Sequence, residues 1–259
     1  MSHEELSQLR DFATELAYLA GRVTLRYFQT DVGVELKEDN SPVTIADRAS
    51  ERLMRELIEK RYPHHSILGE EEGETRPGSS FRWILDPIDG TKSFVAGVPM
   101  YTVLVGLERE GVPVVGAVAI PPSNELITAA IGQGCVWNGR RARASTTSEL
   151  SQAIISTTDV QHMYENAKGP AFDRLRNKAH MLRGWGDAYG HMLVATGRID
   201  VMLDALMSPW DCAALMPILQ ESGATFTDWN GVATIYGGNA VSTNGILYEQ
   251  VMQTIRGQS

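Results

Sequence analysis

The sequence predicts a protein of mixed α and β structure, and three observations carry that prediction. Two amphipathic helical patterns open the chain, short Val- and Leu-rich runs fill its middle, and strand and helix patterns alternate after about residue 150. Together they describe two helices, then a mostly antiparallel sheet, then an α/β half whose strands are joined by crossover helices.

Each element follows from local residue chemistry. Leu6, Leu9, Ala13, Leu16, Ala20, Val23 and Tyr27 recur in steps of three and four, which predicts a long helix over 4–29 with one buried face, broken at Gly33. A polar, turn-rich stretch from Lys37 to Pro42 leads to a second helix from about Thr44 to Arg61, with Ala46, Ala49, Leu53 and Leu57 on its apolar stripe and Pro63 closing it. Ser66–Gly69, Phe81–Leu85, Tyr101–Glu108 and Val112–Ile120 are strands by composition, with a turn at Gly111 and a hairpin within Gly132–Ala144 around Asn138-Gly139.

In the second half, strands are expected at 153–157, 180–183, 201–203, 224–228 and 240–243. Helices are expected near 161–177, 187–196, 209–222 and 247–255. No linker of low complexity separates the halves, so 1–147 and 148–259 are expected to pack as one compact unit.

Composition narrows the function. The 259 residues are 43% apolar and 21% charged, enough to bury a core and offset chain entropy. Twenty-three Lys and Arg against 32 Asp and Glu leave a net charge of −9, the wrong sign for neutralising a polyanion, so nucleic acid and anionic membranes are excluded as general partners. Two cysteines, Cys135 and Cys212, cannot make a disulfide framework or a four-cysteine zinc site. No apolar run approaches the ~20 residues of a spanning helix, and the N-terminus lacks the basic-then-apolar order of a signal peptide, so a cytoplasmic location is expected.

The chemistry concentrates in Asp86-Pro87-Ile88-Asp89-Gly90-Thr91, where an apolar strand ends in two carboxylates separated by a stiffening proline. Hard oxygen ligands on a rigid loop suit Mg²⁺, and the N–H groups of Gly90 and Thr91 can face an anion. Asp-Pro and Asp-Gly are also ordinary turn formers, so two aspartates alone decide nothing. Further carboxylates come from the acidic run Glu70-Glu71-Glu72, from Asp47 on the exposed face at the start of the second helix, and from Asp211 after Trp210. The competing readings are a solvated acidic face for the first and helix capping for the other two.

In combination these segments resemble the inositol monophosphatase-like, metal-dependent phosphatases. The matching stretches are Asp86–Thr91, Trp210-Asp211 followed by Ala213, Ala214 and Glu221–Ala224, Gly69-Glu70-Glu71, and Thr44–Asp47, in the family's order across nearly the whole chain. Within that family the sequence is most similar to the histidinol-phosphatases. Lys37–Arg48, including Ser41–Thr44, Asp89–Phe94, Trp185–Tyr189, Ser208–Asp211 and Thr227–Trp229 carry that closer likeness.

The resemblance implies a layered αβαβα sugar-phosphatase fold, a homodimer, and two to three Mg²⁺ per site. One metal would be held by Glu70, Asp86 and the Ile88 carbonyl, a second by Asp86, Asp89 and Asp211, and a third, weaker one near Glu70. It also implies that Thr91, hydrogen-bonded toward Asp47, positions the attacking water, and that Gly90 and Thr91 hold phosphate oxygens. Such a cluster answers a physical need: a phosphate monoester is dianionic and repels hydroxide, and divalent cations neutralise it and activate water. No Gly-x-Ser-x-Gly elbow occurs, Cys212 reads as a small buried apolar residue, and His191 as a packed or hydrogen-bonded one.

Asp187 and Asp204 are the candidates for reading the leaving group, with an N-cap as the competing reading for Asp187. Two carboxylates beyond the metal cluster favour a substrate bearing positive charge, which selects L-histidinol phosphate ahead of inositol 1-phosphate and fructose 1,6-bisphosphate.

Overall fold

A computed structural model describes residues 1–37 and 42–258. Glu38–Ser41, part of the segment likened above to the histidinol-phosphatases, lie outside the described residues. The first layer is helical. Helix α1 (His3–Thr24) starts at a capping box of Ser2 and Glu5 and buries Leu9, Phe12, Leu16 and Ala20. Its amphipathic pattern runs to Tyr27, yet the helix stops at Thr24, because Phe28 turns away to pack on Phe94 and Tyr101 and Thr24 hydrogen-bonds the Tyr101 hydroxyl. A hairpin of β1 (Val34–Leu36) and β2 (Pro42–Thr44) leads to α2 (Ile45–Arg61), capped by Thr44.

The buried stripe of α2 is Ala46, Asp47, Ser50, Glu51, Met54, Arg55 and Ile58, one residue round from the apolar stripe expected from sequence. Asp47, expected on the exposed face, is fully buried. The helix is turned by its polar residues, three of which, Ser50, Glu51 and Arg55, bond to the strand and turn beneath it, so counting apolar residues alone misplaced the stripe.

Beneath these helices lies an eight-stranded sheet. It comprises β3 (Ser66–Gly69), β4 (Gly73–Thr75), β5 (Phe81–Asp89), β6 (Thr102–Arg109), β7 (Val112–Ile120), β8 (Glu125–Ala130), β9 (Gly134–Trp137) and β10 (Arg140–Arg141), with the short helix α3 (Thr91–Val95) between β5 and β6. The order is β10-β9-β8-β7-β6-β5-β3-β4, antiparallel except for β3 and β5. Asn138-Gly139, both at positive φ, turn β9 into β10 as their sequence predicts. Alternation sorts the strands' two faces: Trp83, Leu85, Val103 and Val105 pack under α1 and α2, while Ile84, Leu104, Val118 and Ile127 face the next layer.

The second half runs β11 (Ile154–Thr157), α4 (Val160–Glu165), α5 (Gly169–Lys178), β12 (Met181–Arg183), α6 (Asp187–Ala195) and β13 (Val201–Asp204). It continues through α7 (Pro209–Cys212), α8 (Leu215–Ser222), β14 (Thr225–Thr227), β15 (Ala240–Thr243) and α9 (Tyr248–Arg256). Two expected helices are each broken in two. Pro170 follows a left-handed Ala167 between α4 and α5, and Pro217 has no N–H for the Ala213 carbonyl between α7 and α8.

The five-stranded sheet has order β12-β11-β13-β15-β14, with parallel pairs about β11. Helices α6 and α8 fill the space between the two sheets, and α5 and α9 cover the far face, which completes five layers in the order αβαβα. Among the described residues no helix is long and apolar enough to cross a membrane.

Candidate active site

The middle layer is where the carboxylates meet. Strand β5 loses register with β6 between Asp86 and Asp89, and the bulge turns both side chains toward one spot. Asp86 Oδ1 accepts from the Ile88 N–H at 3.0 Å, while Asp89 Oδ2 accepts from the Thr102 hydroxyl at 3.2 Å and from the Ala188 N–H at 2.7 Å. Asp211 arrives on α7, whose N-terminus abuts the end of β5. Ligand oxygens of Asp86, Asp89 and Asp211 lie within 4.8 Å of one another, a spacing that can hold a metal ion.

The electrostatics carry the mark of crowding. Burial, then Glu70, Asp89 and Asp211, push Asp86 well above the usual carboxylate range. Burial and the neighbouring Asp187 and Asp211 do the same to Asp89, and burial lifts Asp211 to about 7. Like charges this close are tolerable only with protons or a cation among them, and an all-oxygen donor set fits a hard divalent cation. Glu70, raised by burial and held down by Lys37, stands beside them with its Oε1 2.7 Å from Lys37 Nζ.

Capping and site roles turn out to be compatible, because a carboxylate has two oxygens. Asp47 Oδ2 accepts from the Thr44 N–H at 2.8 Å and its hydroxyl at 2.7 Å, whereas Oδ1 is buried with no partner among the described residues. Burial raises Asp47 to about 6. Asp211 Oδ2 likewise accepts from the Ser208 N–H at 2.7 Å. The orphaned Asp47 oxygen is a buried acceptor in need of a donor such as water.

Thr91 does not hydrogen-bond toward Asp47 as the resemblance implied. Its hydroxyl donates to the Ile88 carbonyl at 3.0 Å, three residues back in β5. Gly90 sits at φ 84°, and a side chain there would come within 3.0 Å of Asp187 Oδ2 and 3.3 Å of the Met100 carbonyl, so only glycine fits. The amides that open α3 have no side-chain cap.

A cleft of about 320 Å³ opens over this floor, lined by Glu70, Gly90, Thr91, Lys92, Thr158 and Asp187. Asp187 is the first residue of α6 but caps nothing: it adopts φ 54°, and its N–H donates to the Thr158 hydroxyl at 2.6 Å. Burial, then Asp204, raise it to about 7 against the pull of Lys92. Asp204 lies behind the cleft, 5% exposed. One oxygen is 3.1 Å from His191 Nε2 and the other accepts from the Thr158 N–H.

Sequence reasoning missed Lys37, Lys92, Thr158, Asp159 and His162, all close to the site. One signal was available for Thr158 and Asp159. They follow β11, whose neighbours β12 and β13 lie on opposite sides, and the carboxyl end of such a strand is where ligands bind in open α/β sheets. His191 is buried between Ser242 and Asp204, and Cys212 is buried against Met207, both structural as expected.

Known proteins resemble this chain along nearly its whole length. The chain is 42% identical to a histidinol-phosphatase of Chlorobaculum parvum over 94% of its length and 95% of the relative's, and 36% identical to one of Mycobacterium tuberculosis over 97% and 98%. A solved inositol monophosphatase from Anabaena (Nostoc) superposes with a TM-score of 0.86 at 31% identity, covering 98% of this chain and 97% of that one. Residues 5–258 match the profile of the inositol monophosphatase family, and the chain belongs to that family.

Proposed function

We propose that this protein is a Mg²⁺-dependent phosphomonoesterase that hydrolyses L-histidinol phosphate to L-histidinol and phosphate, a step of histidine biosynthesis. The observation that carries the substrate choice is Asp187. Its carboxylate lies against Gly90, one residue from Asp89, makes no capping bond, and faces the cleft where the organic part of an ester must sit. A negative charge there repels a phosphate but attracts a cationic leaving group, and histidinol carries an amine and an imidazole. The relatives named histidinol-phosphatases support the same reading.

Glu70, Asp86, Asp89, Asp211 and the Ile88 carbonyl are the residues that would hold two to three Mg²⁺. When bound, these ions neutralise the phosphate, lower the pKa of a coordinated water and stabilise the leaving oxygen. The chain's own residues do the rest. Asp47 Oδ1, buried and unpartnered, accepts a proton of the attacking water, and Thr91 orients that water from the lip of the Ile88 carbonyl. The N–H groups of Gly90 and Thr91 hold phosphate oxygens without reorganising. Asp204 acts at one remove: through the Thr158 N–H it fixes the loop whose hydroxyl holds Asp187. The halves 1–147 and 148–259 work as one unit, since each supplies carboxylates to the cleft, and the working form is a homodimer in the cytoplasm.

The test is phosphate release with Mg²⁺ from L-histidinol phosphate, inositol 1-phosphate and fructose 1,6-bisphosphate, compared as kcat/KM. A preference of ~100-fold or more for histidinol phosphate, ~2.7 kcal/mol of transition-state discrimination, is expected. Comparable values on all three would defeat the substrate choice and leave the phosphatase chemistry. Asp89→Asn should fold normally yet abolish turnover on every ester, and unchanged turnover would defeat the metal assignment as well.

A further inference from the structure

Glu51 is fully buried beneath a turn that already carries three glutamates, Glu70, Glu71 and Glu72, and neither capping nor the core calls for it. A carboxylate in that position is the costly choice, because it is taken out of water next to like charges. Its hydrogen bonds say what it does. Oε2 accepts from the Glu71 N–H at 2.8 Å, and Oε1 accepts from the Glu72 N–H at 3.0 Å and from Arg55 Nε at 2.8 Å.

Arg55, one turn further along α2 and 5% exposed, reaches on with Nη2 to the Gly73 carbonyl. One buried ion pair thus holds two amides and a carbonyl of the turn that links β3 to β4. Gly69, the residue before Glu70, presses on both partners: a side chain there would overlap the Glu51 carboxylate and the Arg55 guanidinium.

We propose that the Glu51–Arg55 pair positions Glu70 as a metal ligand, by clamping the backbone of its turn against the repulsion of the surrounding carboxylates. The proposal rests on the reading of Glu70 as a ligand given above. Glu51 touches neither substrate nor metal; it acts through the amides of Glu71 and Glu72, which set the direction in which Glu70 leaves the strand. The same helix holds Asp47 one turn earlier, so α2 places the water-directing carboxylate and the Glu70 turn relative to each other as a single rod.

Glu51→Gln keeps the shape but loses the charge and one acceptor. In the metal-stripped full-length protein it is expected to weaken Mn²⁺ binding, read from the free-ion electron paramagnetic resonance signal, by about tenfold or more, the range typical of lost partners behind a metal ligand. Amide exchange over 70–73 should speed up, and kcat at saturating Mg²⁺ should stay within about threefold of wild type, a split that a general loss of structure would not give. Arg55→Lys, which keeps charge but cannot fork between Glu51 and Gly73, carries the same test should Glu51→Gln fail to fold. Unchanged exchange and Mn²⁺ affinity in these variants, with weakened Mn²⁺ binding in Glu70→Gln, overturns the clamp alone. Undiminished Mn²⁺ binding in Glu70→Gln overturns the ligand assignment, and the clamp's purpose with it.

Discussion

At the residue scale, the site is a set of carboxylates whose two oxygens are given different tasks. Asp47 and Asp211 each spend one oxygen on a helix start, and the other oxygen of Asp47 is buried with no partner among the described residues. Asp187, by contrast, is released from capping by a left-handed backbone that holds its side chain over Gly90. Asp187→Asn is therefore expected to lower kcat/KM for histidinol phosphate by about tenfold or more and to leave an uncharged aryl phosphate within about threefold; equal losses on both esters would remove Asp187 from substrate recognition.

The same crowding sets a pH dependence. Asp47 at about 6 and Asp187 and Asp211 at about 7 all lie above the unfolded value of about 3.9. Between those limits the folded state binds more protons than the unfolded one. These groups therefore stabilise fully below about pH 4, and that contribution is lost as pH rises through about 7. Thermal melts of the chelator-treated protein should show Tm falling across this window, a smaller fall in Asp211→Asn, and a larger Mg²⁺-induced rise in Tm at pH 8 than at pH 5.

At the element scale, α2 is the part that most departs from an ordinary amphipathic helix. Its inward face alternates core residues, Met54 and Ile58, with polar ones: Ser50, Glu51 and Arg55 bond to the strand and turn beneath, and Asp47 bonds back to the cap, Thr44. Thr44 fixes where this helix begins, accepting from the Ala46 N–H at 3.1 Å while donating to Asp47. Thr44→Ala should cost about 1 kcal/mol of stability in a denaturant melt through the lost cap. Because Asp47 also loses a partner, kcat should fall more than KM changes; a stability loss with unaltered kcat would separate the cap from the catalytic role.

At the scale of the whole molecule, the cleft exists because two sheets are held at a fixed separation by α6 and α8. The close approach depends on glycines: at Gly116 a side chain would collide with the Ala214 carbonyl, and at Gly106 with the Ala213 backbone and side chain. Asp211 sits just before these alanines, so the height of the layer sets the position of the carboxylate. Gly116→Ala should destabilise by about 1–3 kcal/mol as an overpacked core and should weaken Mg²⁺ binding with no ligand altered. A variant that loses stability but binds Mg²⁺ normally would show that α7 is anchored independently of that contact.

The sequence by itself determined the class of fold, the place of most of its longer elements and the carboxylates proposed above as metal ligands. It could do so because apolar periodicity, Pro and Gly punctuation, and acidic residues at strand ends are local signals: β3, β7 and β15 begin and end where their composition says. Only the tertiary structure decided that Asp47 is buried, that Asp204 stands behind the cleft, that Thr91 turns to Ile88, and that Glu51 and Arg55 hold the Glu70 turn. Each of those facts depends on which groups meet across layers distant in the chain. A buried polar residue reads in sequence like an exposed one until its hydrogen-bond partner, supplied by another element, is known.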